Sequence, residues 1–156
     1  MARALAAVGA ALVFLLLVLG VVVYLNRDED AIAVDNRLAE GVTRQISTAE
    51  QRGADVDLAD VTDFKWDHVL VAERSAGRAV ISKALGAPWK GEVAFGTGDL
   101  MIFVNGKHVA RYADYRGEGR FEGVPRPVAR FAHDDAVFSV RDLVIRPKRP
   151  PATSSP

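Results

Sequence analysis

The strongest constraint on this fold is an uninterrupted apolar segment near the amino terminus. Residues 4–25 contain no charged side chain. A helix of that length would measure about 33 Å, against a hydrocarbon core of about 30 Å. Arg3 precedes the segment, and a run of four charged residues that begins at Arg27 follows it. We therefore predict a transmembrane or signal-anchor helix over residues 4–25, after a short tail at residues 1–3.

The sequence leaves open whether this segment is cleaved and in which direction it crosses the membrane. The segment is longer than the apolar core of about 7–15 residues in signal peptides, yet Ala31-Ile32-Ala33 is a pattern that a signal peptidase could use. Arg3 favours an amino terminus inside the cell, whereas Arg27, Arg37 and Arg44 favour the reverse. We expect a retained anchor, with a cleaved signal peptide or a buried core helix as the alternatives, and hence a single-pass cell-membrane protein whose carboxyl-terminal domain is extracytoplasmic.

Charge is balanced overall but unevenly distributed. Lys plus Arg is 20 and Asp plus Glu is 20, which argues against nucleic-acid binding, since that needs a basic surface. Residues 28–63 hold ten acids against three bases, and residues 107–149 hold ten bases against six acids. We interpret these regions either as complementary to each other or as two separate solvated faces; the alternative is a basic face for an acidic partner or lipid headgroups. The chain has no cysteine, which excludes disulfides and thiolate chemistry.

A helix is predicted over residues 29–52, directly after the apolar segment. Its apolar stripe consists of Leu38, Val42, Ile46 and Ala49. Gly53 is expected to end it. We interpret residues 26–54 as a helical stalk or a helix packed on the following domain, and a short dimerising coiled coil is the alternative.

Residues 55–146 predict a small α+β domain. Its expected elements are a strand at 66–73, a helix at 75–85, a hairpin at 99–112 and a last strand at 136–145. Asn105-Gly106 suits the positive-φ positions of a type I′ turn in that hairpin. Residues 114–134 read as a long loop, and the proline-rich residues 147–156 as a disordered tail. The predicted fold is thus α+β: an N-terminal transmembrane helix, a further helix, and an antiparallel sheet of about four strands packed on a helix.

Three segments together carry a resemblance to a known family. They are Phe64–Val71, with the pattern F-x-W-D-x-V-x-V; Ile81–Trp89, ending LG-x-x-W; and Leu100–Lys107, similar to LVF-x-x-x-G-K. In this order they resemble small uncharacterised bacterial envelope proteins, many of them lipoproteins, over about residues 60–145. The chain departs from that family in lacking a lipobox cysteine and in having Ala72-Glu73-Arg74 at an expected aromatic or proline-containing turn. The resemblance implies an extracytoplasmic domain with no established activity.

Candidate catalytic and metal-binding patterns are weak. His68, His108 and His133 have neither helical nor close zinc spacing, and His133-Asp134-Asp135 reads as a polar turn rather than a metal site. The acidic run 55–60 lacks the glycine of a calcium loop, and Gly96–Asp99 precedes a strand rather than a helix. We therefore predict no catalytic residue, no cofactor and no metal.

Four residues remain as candidate contacts to a partner: Trp89, Lys90, Arg116 and Arg120. The leading hypothesis is a membrane-anchored, non-enzymatic module that binds an envelope protein or another envelope component. The alternatives are a small envelope hydrolase that uses the 114–134 loop, and an inhibitor of a cell-wall enzyme. Whether the chain is an enzyme is left open.

Overall fold

Two four-stranded sheets and three helices make up the described part of the chain. A computed structural model describes residues 34–91 and 98–151, within the compact unit that spans residues 32–156. The helices are α1 (Asn36–Arg52), α2 (Leu58–Val61) and α3 (Arg78–Leu85). The strands are β1 (Asp55–Asp57), β2 (His68–Ala72), β3 (Leu100–Asn105), β4 (His108–Asp114), β5 (Arg120–Phe121), β6 (Val128–Ala132), β7 (Val137–Arg141) and β8 (Val144–Pro147). A 3₁₀ turn (His133–Asp135) links β6 to β7.

The two sheets differ in length and in pairing. The large sheet has the order β4-β3-β2-β6 and is antiparallel throughout. The small sheet has the order β1-β7-β8-β5, in which only β5 and β8 are parallel. Because β6 leads through a short turn into β7, the chain passes directly from one sheet to the other.

Helix α1 begins and ends at residues that cap it. The Asp35 carboxylate accepts a hydrogen bond from the Leu38 N–H (3.0 Å), and Gly53 adopts a left-handed conformation (φ 62°) at the other end. The apolar face of the helix is buried in the main core with β2, β3, β6 and the small sheet; it comprises Leu38, Ala39, Val42, Ile46 and Ala49. Of the two arrangements expected for this helix, the structure shows the packed one, not a stalk that stands apart.

A second core lies on the other face of the large sheet. It contains Leu70, Ile102 and Tyr112 from the strands, together with Ile81 of α3 and Trp89. The ring of Trp89 meets that of Tyr112 edge to face, with centroids 5.0 Å apart. Strands β2 and β3 are therefore buried on both faces, which explains why their sequences are continuously apolar rather than alternating.

The predicted fold is wrong in two respects. One antiparallel sheet of about four strands was expected after a transmembrane helix, but the structure contains two four-stranded sheets. In residues 34–91 and 98–151, no helix combines the length and the apolar character needed to cross a membrane. The localisation as a single-pass cell-membrane protein with an extracytoplasmic domain is corrected on that finding and is not retained. Residues 1–3 and 4–25, where the tail and the anchor were predicted, lie outside the described residues.

The extra strands arise in segments that were assigned differently. The predicted loop at 114–134 contains β5 and β6. The predicted single strand at 136–145 is a hairpin, β7 and β8, which turns at Asp142 (φ 52°) and Leu143 (φ 60°). Left-handed backbone is uncommon for leucine, so the sequence carries little signal for this turn.

Two further boundaries differ from the prediction. In the β3–β4 hairpin, Asn105 and His108 pair, so the turn residues are Gly106 and Lys107, and only Gly106 has a positive φ (62°). The predicted type I′ turn at Asn105-Gly106 is therefore wrong: the turn lies one residue later, and Lys107 lacks the positive φ that a type I′ turn needs at its second position. Strand β8 runs to Pro147, and the Lys148 N–H donates to the Val137 carbonyl (2.9 Å), so chain order extends into the predicted tail. Residues 152–156 lie outside the described part.

The acidic and basic regions pair with each other, as their composition predicts. Lys148 lies 2.6 Å from Asp55, and Arg111 lies 3.0 Å from Asp35. The Leu143 N–H donates to the Glu50 carboxylate (2.8 Å). These contacts join the amino-terminal part of the domain to its carboxyl-terminal strands, although each exposed ion pair contributes only about 0–1 kcal/mol to stability.

Candidate functional site

The candidate site lies at one end of the large sheet, where three separate parts of the chain meet. These are Asp67 and His68 at the start of β2, the turn at Gly106, and the end of β6 from Arg130 to Ala132. Register brings them together, because His68 is paired with Val104 of β3 on one side and with Ala132 on the other. We call this group of residues the β6 site.

Asp67 connects the neighbouring segments at the β6 site through hydrogen bonds. One carboxylate oxygen accepts from the Gly106 N–H (2.8 Å), and the backbone carbonyl of Asp67 accepts from the His133 N–H (2.9 Å). The other carboxylate oxygen lies 2.7 Å from His68 Nδ1. The hydrogen bond from Gly106 lowers the pKa of Asp67, and His68 lowers it further, so the carboxyl group is ionised at neutral pH.

Trp66 supports the site from beneath. Its ring contacts Phe103 edge to face at 5.1 Å and lies 4.4 Å from the His133 ring. Its indole N–H donates to the Thr62 hydroxyl (2.8 Å), so the ring is held at both ends. A buried, hydrogen-bonded tryptophan fixes the backbone that presents Asp67 and His68.

His68 is the one buried polar or charged residue among those that the structure describes, with 8% of its surface exposed. Its Nδ1 lies 2.7 Å from the Asp67 carboxylate and 3.2 Å from the Arg130 guanidinium. A single ring nitrogen cannot both donate to the carboxylate and accept from the guanidinium. We assign the proton to Nδ1, which donates to the Asp67 carboxylate in the shorter contact. The Arg130 guanidinium then lies beside the ring without donating a hydrogen bond to it.

The electrostatic environment keeps His68 neutral. Burial lowers the pKa of His68, and the positive charge of Arg130 lowers it further; Asp67 opposes both effects. A neutral ring is compatible with a nearby guanidinium, whereas a protonated ring would place two positive charges side by side.

Strand β6 forms one edge of the large sheet. In the described part of the chain it pairs with β2 only. At either end of this pairing, the His133 N–H bonds to the Asp67 carbonyl and the Glu73 N–H bonds to the Pro127 carbonyl (2.7 Å). Hydrogen-bonded and non-bonded pairs alternate along an antiparallel ladder, so Ala129 and Phe131 also bond to β2.

The remaining backbone groups of β6 face away from the sheet. They are the N–H and C=O groups of Val128, Arg130 and Ala132, which we call the outer edge of β6. Arg130 and Ala132 are exposed, while Val128 is half-buried against the second core. The opposite edge of the same sheet is different, because the Asp35 N–H donates to the Tyr112 carbonyl of β4 (2.9 Å).

The four residues predicted to contact a partner lie elsewhere. Trp89 is 2% exposed, with its backbone held by Ser82 and Arg78, so its ring belongs to the second core. Lys90 follows it and is exposed. Arg116 binds Asp114 and the Asn36 side chain near the start of α1, and Asp114 raises the pKa of Arg116. Arg120 lies on β5 and pairs with Glu122.

The patterns considered for metal binding have structural partners instead. No group of three or more His, Cys, Asp or Glu side chains in residues 34–91 and 98–151 could hold a metal ion. His133 and Asp134 form an exposed pair at 3.0 Å, and Asp135 binds Arg149. Asp57 caps helix α2 through the Ala59 N–H (2.9 Å).

Three hydroxyl groups in the described part donate to backbone carbonyls rather than to histidines. Ser82 donates to the Arg78 carbonyl, Ser139 to the Arg146 carbonyl and Thr48 to the Arg44 carbonyl. The contact of the Asp67 carboxylate with His68 Nδ1 resembles the Asp–His contact beside catalytic nucleophiles, but none of these three hydroxyl groups donates to a histidine.

The β6 site was missed because its strand was read as a loop. Residues 128–132 do alternate, with Ala129 and Phe131 buried and Arg130 and Ala132 exposed. This period-2 pattern is the signal that could have identified a strand. Pro125 and Pro127 directly before it favoured a loop, although a proline ahead of an edge strand is compatible with strand structure.

Comparison with known proteins adds no relative. The sequence matches no family model, and neither curated proteins nor solved structures yield a similar protein.

Proposed function

We propose that this domain is a non-enzymatic binding module that adds an extended segment of another protein to strand β6. The observation that carries the proposal is the outer edge of β6, which presents backbone donors and acceptors that no described strand pairs. An exposed strand edge is a template for a further strand, and several peptide-binding domains use this mode of recognition.

The surroundings of the edge support this function. Strand β6 has five residues, whereas the edge strands of the small sheet have three (β1) and two (β5). Short edge strands offer few hydrogen bonds to a partner. The inner side of β6 is anchored by Phe131, which is fully buried and whose ring meets Phe138 at 5.2 Å. An edge that is already a paired strand needs less ordering when a partner binds.

The hydrolase and the enzyme inhibitor remain predictions from the sequence. A histidine beside a carboxylate in a deep cleft would have favoured hydrolysis. The His133–Asp134 pair is instead on the surface, with the Asp134 side chain 91% exposed.

The binding function can be tested by removing one outward N–H. Ala132 has φ −65°, the angle that proline imposes, so Ala132→Pro deletes an outward donor without straining the backbone. Ala132→Ser keeps the donor and is the matched control. Because the chain has no cysteine, Asp134→Cys provides a single attachment point for a benzophenone crosslinker next to the edge.

The first protein to be tested carries both Asp134→Cys, with the crosslinker attached, and Ala132→Ser. In cell extract of the source organism, we expect it to crosslink a stoichiometric protein partner. The same partner should be lost, or reduced at least about fivefold, when Ala132→Pro replaces Ala132→Ser, since one backbone hydrogen bond contributes about 1 kcal/mol. Equal capture by the two proteins, or capture by neither, would reject binding at this edge.

A further inference from the structure

From the charge at the β6 site we infer the chemistry of the partner, an inference that rests on the proposed strand addition: the added strand carries an acidic side chain opposite Arg130. The juxtaposition behind this inference is the Arg130 guanidinium on an edge that no described strand pairs, next to the buried His68 and without an ion-paired carboxylate among the described residues.

The pairing of the other strand arginines makes Arg130 distinctive. Arg111 binds Asp35, while Arg120 and Arg146 share Glu122. Within residues 34–91 and 98–151, no carboxylate forms an ion pair with Arg130; its recorded side-chain contact is His68 at 3.2 Å. The guanidinium therefore has N–H groups that can donate hydrogen bonds to an incoming carboxylate.

The register of β6 against β2 determines where that carboxylate would lie. Arg130 is paired with Leu70 of β2, so its side chain lies on the face that also carries His68. A residue of an added strand directly opposite Arg130 would project on the same face, with Cβ atoms about 4.5–5.5 Å apart. An Asp or Glu at that position reaches the guanidinium, and the small, exposed Ala132 two residues along leaves room beside it.

A second copy of this chain is the less favourable occupant. The antiparallel self-pairing that uses all three outward residues places Val128 opposite Ala132, and Arg130 opposite the Arg130 of the other copy. Like charges directly opposite each other destabilise a strand pair. The charge on the edge thus disfavours self-association and favours a partner of opposite charge.

The experiment uses three synthetic strands as probes. Each is an acetylated and amidated heptapeptide of alternating threonine and valine, with glutamate, glutamine or lysine at its centre. Binding to the full chain is followed by backbone amide chemical shifts and by hydrogen exchange. We expect the glutamate peptide to bind about fivefold more tightly than the glutamine peptide, and the lysine peptide to bind most weakly, as for a partly exposed ion pair.

Two variants separate this contact from a general charge effect. Arg130→Gln should abolish the difference between the glutamate and glutamine peptides. Arg141→Gln should preserve it, because Arg141 is an exposed arginine on β7, an inner strand of the small sheet, and it too forms no ion pair with a described carboxylate. Binding should protect the amides of Arg130 and Ala132 from exchange, whereas those of Ala129 and Phe131 are already protected in the ladder.

Equal affinity for the glutamate and glutamine peptides would overturn the inference, as would binding by none of the three. Neither result decides the proposed function, because the comparison of Ala132→Pro with Ala132→Ser uses no acidic residue. Loss of crosslinking with Ala132→Pro together with equal peptide affinities would mean strand addition without acidic selectivity.

Discussion

His68 shows how one buried side chain can make stability depend on pH. Burial and Arg130 lower its pKa below the value of 6.5 that applies in the unfolded chain. The unfolded chain therefore binds the proton more readily than the folded domain does. This contribution to stability is complete above about pH 6.5 and is lost as the pH falls below 6.5 toward the lowered pKa.

We predict that the free energy of unfolding, measured by urea titration at pH 7.5, 6.5 and 5.5, decreases toward pH 5.5. His68→Gln should flatten this dependence, because glutamine does not titrate. His108→Gln, at an exposed position at the start of β4, is the control and should keep the dependence. If His68→Gln showed the same slope as the unaltered protein, the neutral state assigned to His68 would be wrong.

At the level of the element, helix α3 has one fully buried side chain. Ile81 is fully buried in the second core, whereas its neighbour Val80 is 40% exposed. We predict that Ile81→Ala lowers the free energy of unfolding by about 2–5 kcal/mol, because it leaves a cavity beneath the helix. Val80→Ala, the matched control, should change it by less than about 0.5 kcal/mol. Urea unfolding would distinguish them, and similar losses would contradict the packing described for α3.

Strand β6 also shows, for a single element, that a pattern which predicts a strand does not reveal the strand with which it pairs. Its alternating pattern was available in residues 128–132, yet the sequence does not state which strand it joins. Pairing with β2, about 60 residues away, brings Arg130 to His68 and leaves the other edge of β6 without a partner among the described strands. The candidate site is therefore a product of long-range register.

For the whole molecule, helix α1 is part of the core. We predict that a chain beginning at residue 32 unfolds in one cooperative thermal transition followed by circular dichroism, while a chain beginning at residue 55 shows none. The shorter chain lacks the five buried side chains of α1, and it also lacks Asp35, which caps the edge of β4. A cooperative transition in the shorter chain would mean that the helix is dispensable.

The sequence by itself determined the elements whose signals are local. Apolar periodicity identified α1 and Gly53 marked its end, although the helix begins at Asn36, after residues 34 and 35 that were also predicted to be helical. Asn105-Gly106 between apolar runs identified the β3–β4 hairpin. Opposite regional charges identified the pairing of the two ends of the domain. Only the tertiary structure decided that there are two sheets, that Leu143 sits in a left-handed turn, and that Arg130 lies beside His68. Periodicity reports which face of a segment is buried, but pairing partners and open edges depend on contacts between residues far apart in the chain.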